Sequence, residues 1–304
     1  MKEWRAIARS AVGVGHQKQN IPCQDFGAYS LIAPDVMVGA VSDGAGSAKF
    51  SDRGAEIAVE TSILLFQKFP KDIYDELLQL TLERAKEIFE HLLKNILKKI
   101  EQEAQNLNCD YRELACTLLV FLATPHGMVA MQIGDGFIVA RPHDGELQLL
   151  FNPDKGEYIN ETTFVTSSNA IEEMQVQVFD WKPYFICAST DGLENVAIEY
   201  KNSKPFNAFF SPLEEYLQET LVPEEEDQYI QDFLNSERLN TRTHDDKTLL
   251  LGLLTELTST LDVPNTTTDE PEIEETEQKQ NNKRSFRIKR IINFFLPSSN
   301  KTTS

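Results

Sequence analysis

Residues 116–151 read CTLLVFLATPHGMVAMQIGDGFIVARPHDGELQLLF. Within them CTLLVFLA (116–123), MVAMQIGD (128–135), FIVAR (137–141) and ELQLLF (146–151) are short apolar or alternating runs parted by Pro, Gly and Asp. Runs of that length between turn residues predict β-strands. Two more follow, MQVQVFD (174–180) and YFICAST (184–190). A spacing of about ten residues with turn signals between predicts an antiparallel meander.

Working outward, VMVGAVSD (Val36 to Asp43) reads as a buried strand ending in a turn, and TLLLGLL (248–254) as a last strand after a polar loop. Between Asp52 and Phe69 the period changes. Ala55, Ala58, Val59, Leu65, Phe66 and Phe69 recur at threes and fours and predict an amphipathic helix stopped by Pro70. Leu77, Leu78, Ala85, Ile88, Phe89, Leu92, Leu93, Ile96, Leu97 and Ile100 keep the same spacing and predict a second, longer helix. Helical patterns return between Pro205 and Leu234. Strands interrupted by helical blocks fit an α+β fold with helices on the outside of the sheets.

From about Thr258 the composition turns to Thr, Asp, Glu, Asn and Gln, then to the basic cluster KRSFRIKR (283–290) and IINFFLP (291–297). The expected division is a folded domain over 1–257 and a disordered, acidic-then-basic tail over 258–304. With no lipidation signal, that tail is read as a flexible terminus and not as a membrane contact. The whole chain has 304 residues, 29 Lys+Arg against 48 Asp+Glu and a formal charge of −19, which excludes nucleic acid as the main partner. No apolar run reaches the roughly 20 residues of a membrane span. MKEWRAIARS at the N-terminus lacks the apolar stretch of a signal peptide, so a soluble cytoplasmic protein is expected. Cys23, Cys109, Cys116 and Cys187 form no C-x-x-C pair and give neither a zinc set nor a disulfide framework.

The chemistry is carried by carboxylates. Asp43 in VSDGAGS, Asp135 in MQIGDGF and Asp191 in ICASTDGL each follow a strand-like run, while Asp245 in RTHDDKTLLL precedes one. Any single Asp-Gly is also an ordinary tight turn. Together at neighbouring strand ends they would repel one another and raise each other's pKa unless a cation sits among them. Oxygen ligands without a His or Cys cluster point to Mg²⁺ or Mn²⁺. Two such ions sharing a carboxylate lower the pKa of a water between them and present hydroxide to phosphorus.

CQDFG with Asp25, VSDGAGSAKFSDRGAEIAV, GDGFIVAR, STDGLENV and THDDKTLLLGLL stand in the order and approximate spacing of the metal-dependent protein phosphatases, the PPM or type 2C class, which the chain resembles. The resemblance runs from about Trp4 to Leu254. It is closest to a bacterial branch with GxxH before the QD motif and NET after the central strands, here GVGH (13–16) and NETT (160–163). It implies an αββα sandwich of two antiparallel sheets with a binuclear Mn²⁺ or Mg²⁺ site at one end. Carried over by position, Asp43 would bridge both ions and the Gly44 carbonyl would bind one. Asp191 and Asp245 would complete the other shell. Asp25 would hold metal-bound waters, and Asp135 with Asp191 would form a third, weaker position. Asp246 stands where relatives often have Asn and would be an acceptor behind the ligands.

Two departures stand out. Where animal members carry a His after Asp-Gly as candidate general acid, this chain has Ala45. Where many relatives carry an Arg before the QD motif to grip phosphate, it has Ile21 and Asn20, which makes His16 or Lys18 the candidate replacement. A capping role for His16 and a solvated charge at Lys18 are the alternatives. Asn160, Glu161 and Thr162 fall where the family keeps a flap and could touch substrate, with a structural turn role the favoured reading, and Thr117 is read as a packing residue.

The resemblance implies a monomeric serine/threonine phosphatase acting on phosphorylated proteins, with a cognate kinase or its targets as partners. The competing class is a pseudophosphatase that binds phosphoprotein without turnover. Retention of Asp43, Asp191 and Asp245 favours the enzyme. Neither a Cys-x5-Arg nor an Asp-x-Asp signature is present, which argues against the thiol and aspartyl-phosphate routes.

Overall fold

A computed structural model describes residues 2–69, 80–151, 162–199, 201–225 and 228–256. In chain order the strands are β1 (Lys2–Ala11), β2 (Phe26–Ala33), β3 (Val36–Ser42), β4 (Leu118–Ala123), β5 (Met128–Ile133), β6 (Phe137–Pro142), β7 (Gln148–Leu149), β8 (Gln175–Phe179), β9 (Pro183–Ser189), the small β10 (Ile198–Glu199) and β11 (Lys204–Pro205), and β12 (Lys247–Glu256). The helices are α1 (Val14–Gln19), α2 (Ser51–Gln67), α3 (Leu82–Leu107), α4 (Ala170–Glu173), α5 (Glu194–Ala197), α6 (Asn207–Glu219), α7 (Gln228–Leu234) and α8 (Glu237–Asn240).

The strands form two five-stranded sheets, β1-β12-β9-β6-β7 and β2-β3-β4-β5-β8. Every pairing within both is antiparallel. Side chains leave a strand alternately to its two faces, and the burial follows that period of two. Met37, Val41, Leu119, Phe121, Ala130, Ile138, Ile186 and Leu250 meet between the sheets. Val38, Ala40, Val120, Leu122, Val129 and Met131 face the other way, onto Ala55, Val59 and Phe66 of α2 and Phe89, Leu92, Leu93 and Ile96 of α3. Across the first sheet, Phe210 of α6 packs edge-on against Phe137 and Phe185. These layers are the αββα sandwich.

The predicted strands and the described parts of the predicted helices are present, with one rearrangement. The six segments from 116 to 190 are not one meander: β4, β5 and β8 lie in one sheet, and β6, β7 and β9 in the other. Gly134, at φ 99°, turns the chain out of β5 so that β6 starts in the opposite sheet. That backbone is open to glycine and strained for other residues. β1, β2 and α1 leave no clear pattern, because β1 sets Lys2, Glu3, Arg5 and Arg9 among its buried apolar residues, β2 is a half-exposed edge strand and α1 is six residues long with none buried. Leu77 and Leu78, assigned by pattern to the long helix, lie outside the described residues, as do Asn160, Glu161 and the tail over 258–304. Among the described residues, no helix is long and apolar enough to cross a membrane.

Phe121 fills the middle of the inter-sheet core, fully buried and opposite Gly39. A Cβ at position 39 would run into its ring. Phe121→Ala is therefore expected to lower unfolding free energy by about 3–5 kcal/mol, read from the midpoint of denaturant unfolding.

Candidate metal centre

The apolar run of β3 ends at Asp43, whose peptide is fixed on both sides by Thr117. The Asp43 amide donates to Thr117 Oγ1 at 3.0 Å, and the Thr117 amide donates to the Asp43 carbonyl at 2.8 Å. Ser42 Oγ also donates to the Thr117 carbonyl at 2.5 Å. Thr117 is thus a clamp on Asp43 as well as a buried residue. Gly44 follows where no side chain fits: an added Cβ would lie 2.7 Å from both the Gln24 carbonyl oxygen and the Ser51 carbonyl carbon. Its amide donates to Gln24 O at 3.1 Å, which places the QD segment beside Asp43.

Each further carboxylate has its own support. Asp25, 6 % exposed, accepts from Thr190 Oγ1 at 2.7 Å, and Thr190 Oγ1 accepts from the Thr248 amide at 3.0 Å. Asp135 sits in the crossover between the sheets, where Oδ2 accepts from Thr162 Oγ1 at 2.7 Å. Its Oδ1 is buried and has no hydrogen-bond partner. Asp191 opens a 3-10 turn directly after β9. Asp245 is exposed, and its Oδ1 accepts from the Asp246 amide at 2.9 Å. Asp246 is buried and accepts three bonds, from Gly13 N (2.6 Å), Gln24 N (2.6 Å) and His16 Nδ1 (3.0 Å). It binds α1 and the QD segment to the start of β12.

Ligand oxygens of Asp43, Asp135 and Asp191 all lie within 4.8 Å of one another. Asp245 and Asp25 stand outside that trio. The Asp25 and Asp43 carboxyls interact directly, and the charge of Asp245 acts on Asp25, Asp43 and Asp191. Burial is the largest cause of a raised pKa at each of those three, and neighbouring carboxylates add to it. Asp191 is pushed up to about 7, by burial and then by Asp135, Asp245 and Asp25. Lys247, also buried, donates from Nζ to Asn240 Oδ1 at 3.0 Å and to the Asp245 carbonyl at 3.4 Å. Burial pulls its pKa down, while Asp246, Asp25 and Asp245 oppose that.

An all-oxygen trio with one buried, undonated carboxylate oxygen suits a hard divalent cation and not a soft one. Of the two candidates for phosphate, His16 has Nδ1 engaged by Asp246, and Lys18 is exposed on α1. Ala45 is buried with Ala48, Ala115 and Phe164, so the position after Asp43-Gly44 faces an apolar cluster. Sequence reading missed Thr190 and Lys247; Thr117 is buried as read and Thr162 makes a structural contact, but their bonds to Asp43 and Asp135 were not foreseen. Each acts on a carboxylate or its backbone through a contact that no local pattern encodes.

Two stacked antiparallel sheets flanked by helices, with an acidic rim at one end, are the frame in which the comparisons with known proteins fall. Residues 12–235 match the protein phosphatase 2C family model. The chain is 31% identical over 264 residues to serine/threonine-protein phosphatase 3 of Escherichia coli (strain K12), covering 83% of this chain and 99% of that protein. Among solved structures, a bacterial serine phosphatase superposes with a TM-score of 0.57 at 14% identity, over 83% of this chain and 98% of that one. The S. agalactiae serine/threonine phosphatase gives 0.56 at 16% identity, over 83% and 99%. At such identities the two structures speak for the fold alone. The chain belongs to the protein phosphatase 2C family, and it is a protein serine/threonine phosphatase.

The raised Asp191 pKa sets a pH dependence for the metal-free protein. Folded Asp191 keeps its proton up to about 7, whereas the unfolded carboxyl loses it near 3.8. Stabilisation from that proton is complete below the unfolded value and is lost as pH rises through 7. In chelator, the melting temperature should fall by several degrees between about pH 5 and pH 8, and Asp191→Asn should lessen that slope, with Asp25, also pushed up to about 7, supplying part of the rest. Added Mn²⁺ should recover more stability at the upper end of that range than at the lower.

Proposed function

We propose that this chain is a Mn²⁺- or Mg²⁺-dependent phosphatase that hydrolyses phosphoserine and phosphothreonine in proteins. The observation that carries the reading is the Asp43, Asp135 and Asp191 trio, whose ligand oxygens lie within 4.8 Å of one another. Two divalent ions, when bound, would supply Lewis acidity to the phosphoryl group and bring water to its hydroxide form near neutral pH.

Asp43 would be the shared ligand, with the Gly44 carbonyl beside it, and Asp191 and Asp245 would complete the set. Asp135 with Asp191 would hold a third ion. Asp25, tied to Thr190 and to Asp43, would order water at the site. The burial of Ala45 supports a route in which the leaving alkoxide takes its proton from water. His16 would meet the substrate phosphate through Nε2, since Nδ1 is held by Asp246. Lys18, exposed on the same short helix, is the other candidate for that contact. The catalytic domain would be residues 1–257 and the tail 258–304 separate from it. The setting would be a cytoplasmic monomer opposing a serine/threonine kinase.

The decisive assay is hydrolysis of a phosphothreonine peptide by the purified chain, with Mn²⁺ or Mg²⁺ and with chelator. Activity should require metal and should fall by about 100-fold or more in Asp43→Asn, in line with loss of a transition-state stabilising group. A folded wild-type protein inactive with either ion would instead make it a phosphoprotein-binding module. His16→Ala should raise KM for the peptide with little change in kcat, the signature of lost substrate binding. An unchanged KM would leave His16 with Asp246 alone.

A further inference from the structure

Thr162 is the first described residue after the segment 152–161, and its hydroxyl donates to Asp135 Oδ2 at 2.7 Å. A carboxylate is free to turn about its terminal bond and exchange its two oxygens. Holding Oδ2 leaves Oδ1, the buried oxygen without a donor, with its lone pairs free for a ligand. We infer that Thr162 is a positioning residue, which fixes the rotation of the Asp135 carboxylate within the acidic trio and thereby sets its affinity for a divalent ion. This inference rests on the trio being a metal site.

Three features make the hydroxyl a fixed point and not an incidental neighbour. First, the stretch after Thr162 is anchored: the Val165 amide donates to the Cys116 carbonyl at 2.8 Å, the Phe164 amide to Ser167 Oγ at 3.0 Å, and the Phe164 ring packs on Ala45, Ala48 and Ala115. Val165 itself is fully buried. Second, the residue next to Cys116 is Thr117, which clamps the Asp43 peptide, so one two-residue segment locates both Asp43 and the Thr162 stretch. Third, the Asp135 backbone is fixed from the other side. Gln132 Nε2 donates to the Gly134 carbonyl at 3.0 Å, and an added Cβ at Gly134, with φ 99°, would strike Thr117 Cγ2 at 2.5 Å. With both the backbone of Asp135 and the anchor of Thr162 set, the hydroxyl holds the carboxylate at one rotation.

Hydrogen-bond partners behind metal ligands typically govern metal affinity by about 10- to 100-fold. The test is calorimetric titration of the full chain with Mn²⁺, together with its melting temperature in chelator, for wild type, Thr162→Val, Thr162→Ser and Asp135→Asn. Thr162→Val keeps the shape and loses the donor, and should weaken one class of Mn²⁺ sites by about tenfold or more while moving the metal-free melting temperature little. Thr162→Ser keeps the donor and should bind as wild type does. In an Asp135→Asn background, Thr162→Val should have no further effect on Mn²⁺ affinity, because it acts only through that carboxylate. Wild-type Mn²⁺ affinity in Thr162→Val, lost affinity in Thr162→Ser, or additive losses in the double variant would each overturn the inference. A wild-type chain that takes up no Mn²⁺ would overturn the metal reading along with it.

Discussion

The constraint that organises this molecule is the repulsion among carboxylates brought to one end of a sandwich. Asp43, Asp25 and Asp191 leave apolar strands or enter them at the same rim, and burial removes the water that would screen them. Neutral donors offset part of this cost. Thr162, Thr190 and the backbone amides on Asp246 each supply a hydrogen bond without adding a formal charge. Lys247 adds the one buried lysine among the described residues, and it reaches a carbonyl and an amide oxygen instead of a carboxylate. What these donors leave is a deficit of positive charge at the trio.

The scaffold keeps that deficit in place because the sheets' own hydrogen bonds determine where the strand ends lie. Gly44 pairs across to Cys116 as an extension of the β3–β4 ladder, and Asp246 draws α1 and the QD segment onto β12. The rim is thus assembled from both sheets. Asp43 belongs to one, Asp191 and Asp245 to the other, and Asp135 to the crossing between them. A shift between the sheets would separate the carboxylates, and the interdigitated core around Phe121 resists it.

Much of this was legible in the sequence, and the unread part has a physical cause. Buried strands such as β3 and β4 declare themselves by length and apolarity, and α3 by its spacing. The aspartates stand out because each adjoins such a run. The division of strands between two sheets does not stand out, since a period of two reads the same in either sheet and only the Gly134 turn separates β5 from β6. The threonine donors are invisible for a related reason. Thr190 meets Asp25 across 165 residues, and a hydroxyl at a strand end has the same sequence signature whether it packs or donates. Edge strands β1 and β2 were missed because half-exposed strands carry mixed residues.

The register of β1 on β12 has a consequence in time. Lys2 pairs with Glu256 and Ala11 with Lys247, so the first described strand to leave the ribosome waits for the last described one. Asp245 and Asp246 arrive with that late strand. Until it emerges, β1 has no strand to pair with and the QD segment lacks its bond to Asp246, and pairings so distant in sequence close slowly. The acidic end therefore comes into being as a unit only once β12 has been made, and a nascent chain halted before it carries the early aspartates without the site.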